Sequence, residues 1–262
     1  MLTFEVPNLV RCYGLTKEPE NGNYMMVLNY AVDGDLKNFL ENKKDYFTWK
    51  ERYSLLCDIS LALLKIHERN IIHRDLHPGN ILITGNSWVI SDLGISKFSD
   101  DKSKSEIIGV LPYIAPEVLL SFDYTTAVDI YSIGIIMWQI VYNCAPYWNR
   151  NHDISLVRDI YDGLRPPKIS GLHIDYEEMM ERCWNTVASN RPSALELFEF
   201  SKKNYQRICS GEIFIPEMKI NSINESYNND LKPRIINTAK IKDTIHYIQS
   251  HESDLLIPVE KL

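Results

Sequence analysis

A mixed α+β fold, with two short β-hairpins in the first third of the chain and helices through most of the remainder, is what this 262-residue sequence predicts. Three observations lead there. Apolar runs of strand length come in two pairs, each pair split by turn-forming residues. A capping signature at Thr48 to Glu51 opens a long amphipathic segment. The stretch from Thr125 to Tyr142 is apolar on nearly every face, as in a helix at the centre of a core.

Taken in order, Val10 to Leu15 and Tyr24 to Leu28 are β-like, and Glu18-Pro19-Glu20-Asn21-Gly22-Asn23 supplies the turn between them. They read as a hairpin. A short helix is expected from Asp33 through Leu40. Thr48-Trp49-Lys50-Glu51 then caps a helix running to about Glu68, with Trp49, Tyr53, Leu56, Leu63 and His67 on one face at spacings of three and four. Ile81-Leu82-Ile83 and Trp88-Val89-Ile90 read as a second hairpin about Thr84-Gly85-Asn86-Ser87. Beyond the central helix at 125–142, helices are expected at 153–162, 175–186 and 193–206. From 207 to 262 the periodicity fails, and Asn221 to Asp230 is polar throughout. That part reads as a mostly disordered tail with one weak helix near 238–250.

Composition narrows the class of function. With 45% hydrophobic residues the chain can bury a sizeable core, as one large domain or a domain with an appendage. The longest nearly apolar run, Tyr131 to Val141, is well short of a membrane span, and the first residues lack the pattern of a signal peptide. No membrane is expected as a partner, and a cytoplasmic location is expected, with the nucleus open. From Lys203 onward eight basic residues balance eight acidic ones, so the whole net charge of −7 falls in residues 1–202. An acidic body argues against nucleic acid, which demands clustered Lys and Arg. The five cysteines, at 12, 57, 144, 183 and 209, lack disulfide or metal spacing and read as buried thiols.

The chemistry concentrates in residues 73–94. Transfer of a phosphoryl group to a hydroxyl needs an acceptor for the hydroxyl proton, metal ions to neutralise phosphate oxygens, and groups that hold the reactants in line. Asp75 can accept the proton. Asn80 offers an amide oxygen and Asp92 a carboxylate across the second hairpin, a pair of hard ligands suited to Mg²⁺. Gly94 lets the chain turn sharply after Asp92. Any one of these residues alone is as readily a turn former. The ordered set His73-Arg74-Asp75-Leu76, Asn80, hairpin, Asp92-Leu93-Gly94 and Ala115-Pro116-Glu117 is far more specific.

That set resembles the eukaryotic protein kinases, over about Pro7 to Tyr205. The resemblance implies a kinase-like fold divided into a remnant of the small lobe with the hinge (1–32), a helical large lobe (33–206) and a tail (207–262). It implies ATP as phosphoryl donor, Mg²⁺ as cofactor and a protein as substrate. By the same similarity Arg74, Asp75 and His77 fall at catalytic positions. Leu28 falls at the gatekeeper, Asn29 and Ala31 at the hinge, Asp35 at a ribose contact and Leu82 beneath adenine. Asp129 caps the catalytic loop, and Glu117 pairs with Arg191. Cys12, Leu93, His73 and Asp129 form a stacked column. Cys183-Trp184 resembles the tyrosine-kinase-like group, and that feature with Pro78 and Tyr113-Ile114-Ala115-Pro116-Glu117 points to Ser/Thr substrates. An activation-segment phosphosite is expected somewhere among Ser99, Ser103 and Ser105, with Arg74 as partner, although for any particular serine the run reads more simply as a solvated loop tip.

Departures from the pattern are as informative. His77 replaces the lysine expected two residues after Asp75, where it is either a phosphate donor or an idle surface imidazole. Val110 replaces a threonine. No two of the eleven glycines are separated by one residue, so no G-x-G-x-x-G loop exists, and the first lysine, Lys17, already lies in the first hairpin. The chain is therefore expected to lack most of the small lobe. Three readings stand: a Ser/Thr kinase seen without its N-terminal elements and impaired in transfer, a non-catalytic pseudokinase scaffold, or, last, another ATP-dependent phosphotransferase.

Overall fold

The computed structural model describes residues 6–42, 47–99, 109–121, 123–168 and 171–217. The expected weak helix near 238–250 lies outside the described residues, as do Ser103 and Ser105. The first hairpin pairs β1 (Cys12–Lys17) with β2 (Tyr24–Leu28), antiparallel, with Leu15 opposite Met26 and a bulge between Cys12 and Gly14. It begins two residues later than expected. The cause is that Val10 gives its N–H to Ile90 O at 2.8 Å, and Ile90 returns a bond to Asn8 O at 2.8 Å. Residues 8–10 thus stitch the hairpin to the helical lobe instead of extending it.

Helix α1 (Leu36–Asn42) starts later than its expected Asp33, because Asp35 accepts the Asn38 N–H at 2.8 Å and so acts as the cap. Helix α2 (Trp49–His67) has the predicted reciprocal capping box: Glu51 N–H donates to Thr48 Oγ1, and Thr48 N–H to Glu51 Oε2. Its Trp49, Tyr53, Leu56 and Leu63 are buried as read. A two-residue strand β3 (Ile71–Ile72) comes next, then the second hairpin, β4 (Ile81–Thr84) with β5 (Ser87–Ile90) about Gly85-Asn86. Strand β6 (Lys97–Phe98) returns to pair with β3. Neither β3 nor β6 is foreseen from sequence, since two residues carry no periodicity to read.

Helix α3 (Pro116–Ser121), also unforeseen, begins on a proline, which sacrifices no bond at a first-turn position. Helix α4 (Thr126–Tyr142) is the predicted centre: every residue from Val128 to Tyr142 is buried. Thr125 caps its start, and Asn143 ends it in the left-handed region at φ +49°. Helices α5 (Ile154–Tyr161), α6 (Ile174–Cys183) and α7 (Ala194–Cys209) follow, with α6 packed on α4, α7 on α2 and α5 beside α3. Gly134 permits the α4–α6 approach, because a Cβ there would lie 2.9 Å from Cys183 Cβ and from Trp184 N. Trp49, Tyr53, Tyr176 and Phe200 make edge-on and tilted ring contacts where α2, α6 and α7 meet. The result is the expected α+β arrangement, a helical lobe carrying small two-stranded sheets.

Two expectations need correction. Only Cys144 and Cys183 are buried; Cys12 and Cys57 are partly exposed and Cys209 is exposed, all five as free thiols. Cys209 ends a helix whose buried face has already passed, so its thiol meets solvent. The expected tail boundary at 207 is also too early. Helix α7 runs on to Cys209, and Ile213 to Glu217 pack back against α2. Glu217 Oε1 accepts the Trp49 N–H at 3.0 Å, Glu217 Oε2 the Arg52 Nη1 at 3.3 Å, and Pro216 O the Trp49 indole N–H at 3.1 Å. Three bonds made by two residues order a segment that has no period of its own.

Candidate active site

The site is built on the links between β3, the short 3₁₀ turn Pro78–Asn80 and β5, and one buried carboxylate organises it. Asp129, fully buried in the first turn of α4, accepts the backbone N–H of His73 (2.9 Å, Oδ2), the backbone N–H of Arg74 (2.9 Å, Oδ1) and the Nε2–H of His67 (2.8 Å, Oδ2). Burial by itself would raise its pKa. The hydrogen bond and positive potential of His67, with smaller contributions from His73 and the Arg74 N–H, outweigh burial and hold it below the ordinary value. These bonds fix Arg74 at φ +75°, a conformation non-glycine residues rarely adopt. In the sequence His67 reads only as part of an apolar stripe. A titratable residue on the last turn of such a stripe is the signal that marks it.

His73 is wholly buried, and its tautomer is set by its partners. Nε2 lies 2.9 Å from Ser91 O, which can only accept, so Nε2 carries the proton and Nδ1 is left to accept the Asp75 N–H at 3.3 Å. Asp75 is thus positioned from its own backbone. Asn80 Nδ2 donates to Asp75 O at 2.9 Å and lies 3.4 Å from Asp75 Oδ2, which leaves Asn80 Oδ1 as the acceptor on the other side of the amide. Asn80 O in turn accepts from Ser91 N (2.9 Å) and Oγ (3.1 Å), tying the loop to the end of β5.

Asp92 sits at φ +59°, and its Oδ1 accepts the Gly94 N–H at 3.0 Å, so Oδ2 is its open oxygen. A Cβ at Gly94 would lie 2.9 Å from that Oδ1. His77 Nδ1 accepts the Gly79 N–H at 3.1 Å, placing the proton on Nε2, which is 3.9 Å from Asp75 Oδ2. Burial lowers the His77 pKa, and the Asp75 carboxylate offsets this only in part, so the ring is neutral near pH 7. His77 is therefore partly buried beside Asp75 and does not carry the full charge of a lysine.

The hinge and column residues expected from sequence are more loosely placed. Leu28 ends β2 and is exposed; Asn29 gives its N–H to Arg11 O at 2.8 Å; Ala31 O accepts from Gly34 N at 3.3 Å. Asp35 and Leu82 share an antiparallel bridge, while both Asp35 oxygens are engaged by Asn38 at 2.8 and 2.6 Å. Leu93 is exposed rather than enclosed in an apolar column. Cys12 donates to Gly14 O, 3.8 Å away. Arg191 is buried and grips Glu117 through both terminal nitrogens at 2.6 and 2.7 Å, with further bonds to Ala127 O and Asn185 O at 2.9 and 2.8 Å. Burial pushes the thiols of Cys57, Cys144 and Cys183 to about 12, which excludes them as nucleophiles near neutral pH. Sequence reading does not foresee how Tyr113 and Ser132 lock the segment before α3 to α4: Ser132 Oγ donates to Tyr113 O at 2.7 Å and Tyr113 OH to Gln139 Oε1 at 2.5 Å.

Comparison with known proteins matches this sequence to one family. The family model for protein tyrosine and serine/threonine kinases matches residues 1–200. The chain is 31% identical over 217 residues to a probable serine/threonine-protein kinase, drkD, of Dictyostelium discoideum, covering 78% of this chain and 16% of that protein. It is 29% identical over 204 residues to the dual specificity protein kinase shkB of the same organism, covering 73% and 30%. It is 29% identical over 196 residues to ephrin type-A receptor 3 of Danio rerio, covering 72% and 20%. The chain therefore spans only a minor part of the length of these curated relatives. A fold, a catalytic-loop geometry and a family model that agree over most of its length make this chain a member of the protein tyrosine and serine/threonine kinase family.

Proposed function

We propose that this lobe is the half of a Ser/Thr protein kinase site that holds the proton acceptor and the metal ligands. The observation that carries the reading is the clamp between Asp75 and Asn80, in which one amide fixes the Asp75 backbone through its nitrogen and keeps its own oxygen as an acceptor. Asp75 orients the substrate hydroxyl and accepts its proton as that oxygen bonds to the γ-phosphorus of ATP and the bond from that phosphorus to the β-phosphate oxygen breaks, with ADP as the leaving group. Asn80 Oδ1 and Asp92 Oδ2 are hard oxygens on adjoining loops, the donor set that would hold Mg²⁺. Bound Mg·ATP supplies the phosphoryl group and neutralises the charge that spreads over its oxygens. His77 Nε2–H provides a neutral donor beside Asp75 where the family pattern has a cation. Glu117 and Arg191 hold the end of the activation segment against the large lobe. Ser and Thr as acceptors are supported by the Tyr113-Ile114-Ala115-Pro116-Glu117 segment and by the serine/threonine wording in relatives' names. Placement in the tyrosine-kinase-like group is supported by Cys183-Trp184.

These 262 residues contain no G-x-G sequence and no lysine before Lys17, so they hold no phosphate cradle of the family type. Purified 1–262 is accordingly expected to transfer phosphate slowly. That same observation favours the second reading, a non-catalytic scaffold. A radiolabelled-ATP assay on a Ser/Thr peptide library separates them: slow, Mg²⁺-dependent transfer abolished by Asp75→Asn supports the kinase. Transfer that is insensitive to Asp75→Asn removes the assignment, undetectable transfer favours the scaffold, and robust Asp75-dependent turnover shows the site to be unimpaired.

A further inference from the structure

Three contacts of Arg74 together join the catalytic loop to the segment after Asp92. Its backbone N–H is held by Asp129 Oδ1 at 2.9 Å, its Nη1 donates to Ile95 O at 3.3 Å, and its guanidinium carbon lies 3.8 Å from the centroid of the Tyr124 ring. Tyr124 is half-buried, packed on the edge of the core, and immediately precedes Thr125, the residue that caps α4. The ring thus sits next to the N-terminus of the buried central helix, which also carries Asp129.

Among the described residues, the segment Arg74 reaches is held mostly by local bonds. Asp92 and Gly94 form a turn, Ser96 N and Oγ both bond to Leu93 O at 3.1 and 2.7 Å, and only at Lys97 does the β3–β6 ladder begin. Between turn and ladder, the Arg74–Ile95 bond ties this stretch to the catalytic loop. An arginine side chain is long and free to rotate, and a ring covering one face of the guanidinium confines it to the plane in which Nη1 meets Ile95 O.

We propose that Tyr124 is a positioning residue: its ring orients Arg74 so that residues 92–96, including Asp92, stay joined to the catalytic loop without an activation-segment phosphate. This rests on the kinase reading for its catalytic meaning, but the joint itself is testable without catalysis. The expected consequence is a site whose Asp92 is ordered in the unmodified chain, with phosphorylation at Ser99 dispensable for that order.

Backbone hydrogen exchange on the full 262-residue chain tests it, comparing Tyr124→Phe and Tyr124→Leu with the wild type and each Tyr124 change again in an Arg74→Ala background. Tyr124→Leu should speed exchange at amides 94–97 by about 3-fold to 30-fold, the range a partly desolvated cation–π contact supports. Tyr124→Phe, which keeps the ring face, should match wild type, and Tyr124→Leu should add nothing once Arg74 is alanine. Unchanged exchange in Tyr124→Leu overturns the proposal. So does loss in Tyr124→Phe equal to that in Tyr124→Leu, which would assign the effect to the hydroxyl. An undiminished effect in the Arg74→Ala background, or loosening that extends to α2 and α7, assigns Tyr124 to packing and also overturns it. In the phosphotransfer assay Tyr124→Leu should lower kcat and leave the peptide KM in place. Absence of transfer in the wild type would sink the kinase reading and leave the exchange result standing.

Discussion

The two hairpins of this chain have similar local chemistry and opposite surroundings. In β4–β5, Ile81, Trp88, Val89 and Ile90 are buried, Trp88 meets Phe39 and Phe47 edge-on, and Asp58 of α2 accepts the Trp88 N–H at 2.9 Å. In β1–β2, Leu15 and Met26 face each other at 66% and 60% exposure, and Val27 and Leu28 are exposed as well. Strand pairing is local, whereas cover must come from elsewhere in the fold, and a two-stranded ribbon is marginal without it. The buried hairpin has the proposed metal ligands at its two ends: Asn80 enters it, and Asp92 leaves it. Sequence alternation identifies both ribbons equally and says nothing about which one is covered.

Substitutions in the covered region should be the most damaging. Arg191→Ala removes a guanidinium with a side chain at 0% exposure and leaves both Glu117 and Ala127 O without the donor they share. Breaking a buried pair in this way costs about 3–5 kcal/mol. Chemical denaturation should show the loss in full, and a loss under about 1 kcal/mol would mean that the lobe does not depend on this joint. Ile90→Ala, at the end of the covered hairpin, should cost about 2–5 kcal/mol by the same measurement.

Asp129 adds a pH dependence that the exposed hairpin cannot have. Its carboxyl is held below the ordinary value by His67, His73 and the Arg74 N–H against the opposing effect of burial. A group with a depressed folded pKa contributes stability that is present above its unfolded pKa, about 3.9, and is lost as pH falls through the folded value. Asp129→Asn should therefore be destabilised by about 2–4 kcal/mol near pH 7, with the gap to wild type narrowing in melts taken from pH 5 downward. A gap independent of pH would show that the charge on Asp129 contributes nothing.

How much of this is legible in the sequence differs by the kind of feature. Capping boxes and apolar stripes are local, so α2 and α4 are readable to within a residue at Thr48 and Thr125. The ordered set from His73 to Gly94 names Asp75, Asn80 and Asp92 because their types and spacing are dictated by chemistry. The features that escape reading depend on partners distant in the chain. His67 finds Asp129 at a separation of 62 residues, and Trp49 finds Glu217 at 168. The apolar period of α7 stops short of the helix itself, because Glu212 and Ile213 fold back to give their N–H groups to Arg207 O and hold the last turn from outside. Leu93 enters an apolar column only by family analogy, and the cover that would enclose it is not supplied by the described residues around it.

The Glu217 contact offers a smaller test of the same contrast, because it covers a site that would otherwise be open. Arg52 is buried, stacks at 4.8 Å on Trp49, donates to Ile140 O at 3.2 Å, and takes a carboxylate from Glu217, which is itself 40% exposed. Glu217→Ala should cost about 1–2 kcal/mol, less than a fully buried pair because water can reach the vacated side. Removal of residues 213–262 should cost more than Glu217→Ala alone, since Ile215 and the Pro216 carbonyl leave as well. Thermal melts of the two variants would show this, and equal melting temperatures would mean that Glu217 carries the whole contact.

The smallest expected effect is the most direct test of the exposed hairpin. Leu15 and Met26 are cross-strand neighbours, and such a pair can contribute a few tenths of a kcal/mol to the ribbon while adding nothing to a core it does not touch. Leu15→Ser with Met26→Thr should therefore shift the stability of the helical lobe by no more than about 0.5 kcal/mol. The same pair of changes at Ile90 and Trp88 would be expected to unfold it. If the Leu15 and Met26 changes lowered the melting temperature by as much as Ile90→Ala does, β1–β2 would have to be covered in solution, and the distinction between the two hairpins would fail. If instead they left the melt in place and reduced self-association, the apolar face of β1–β2 would be identified as a surface that other chains can reach.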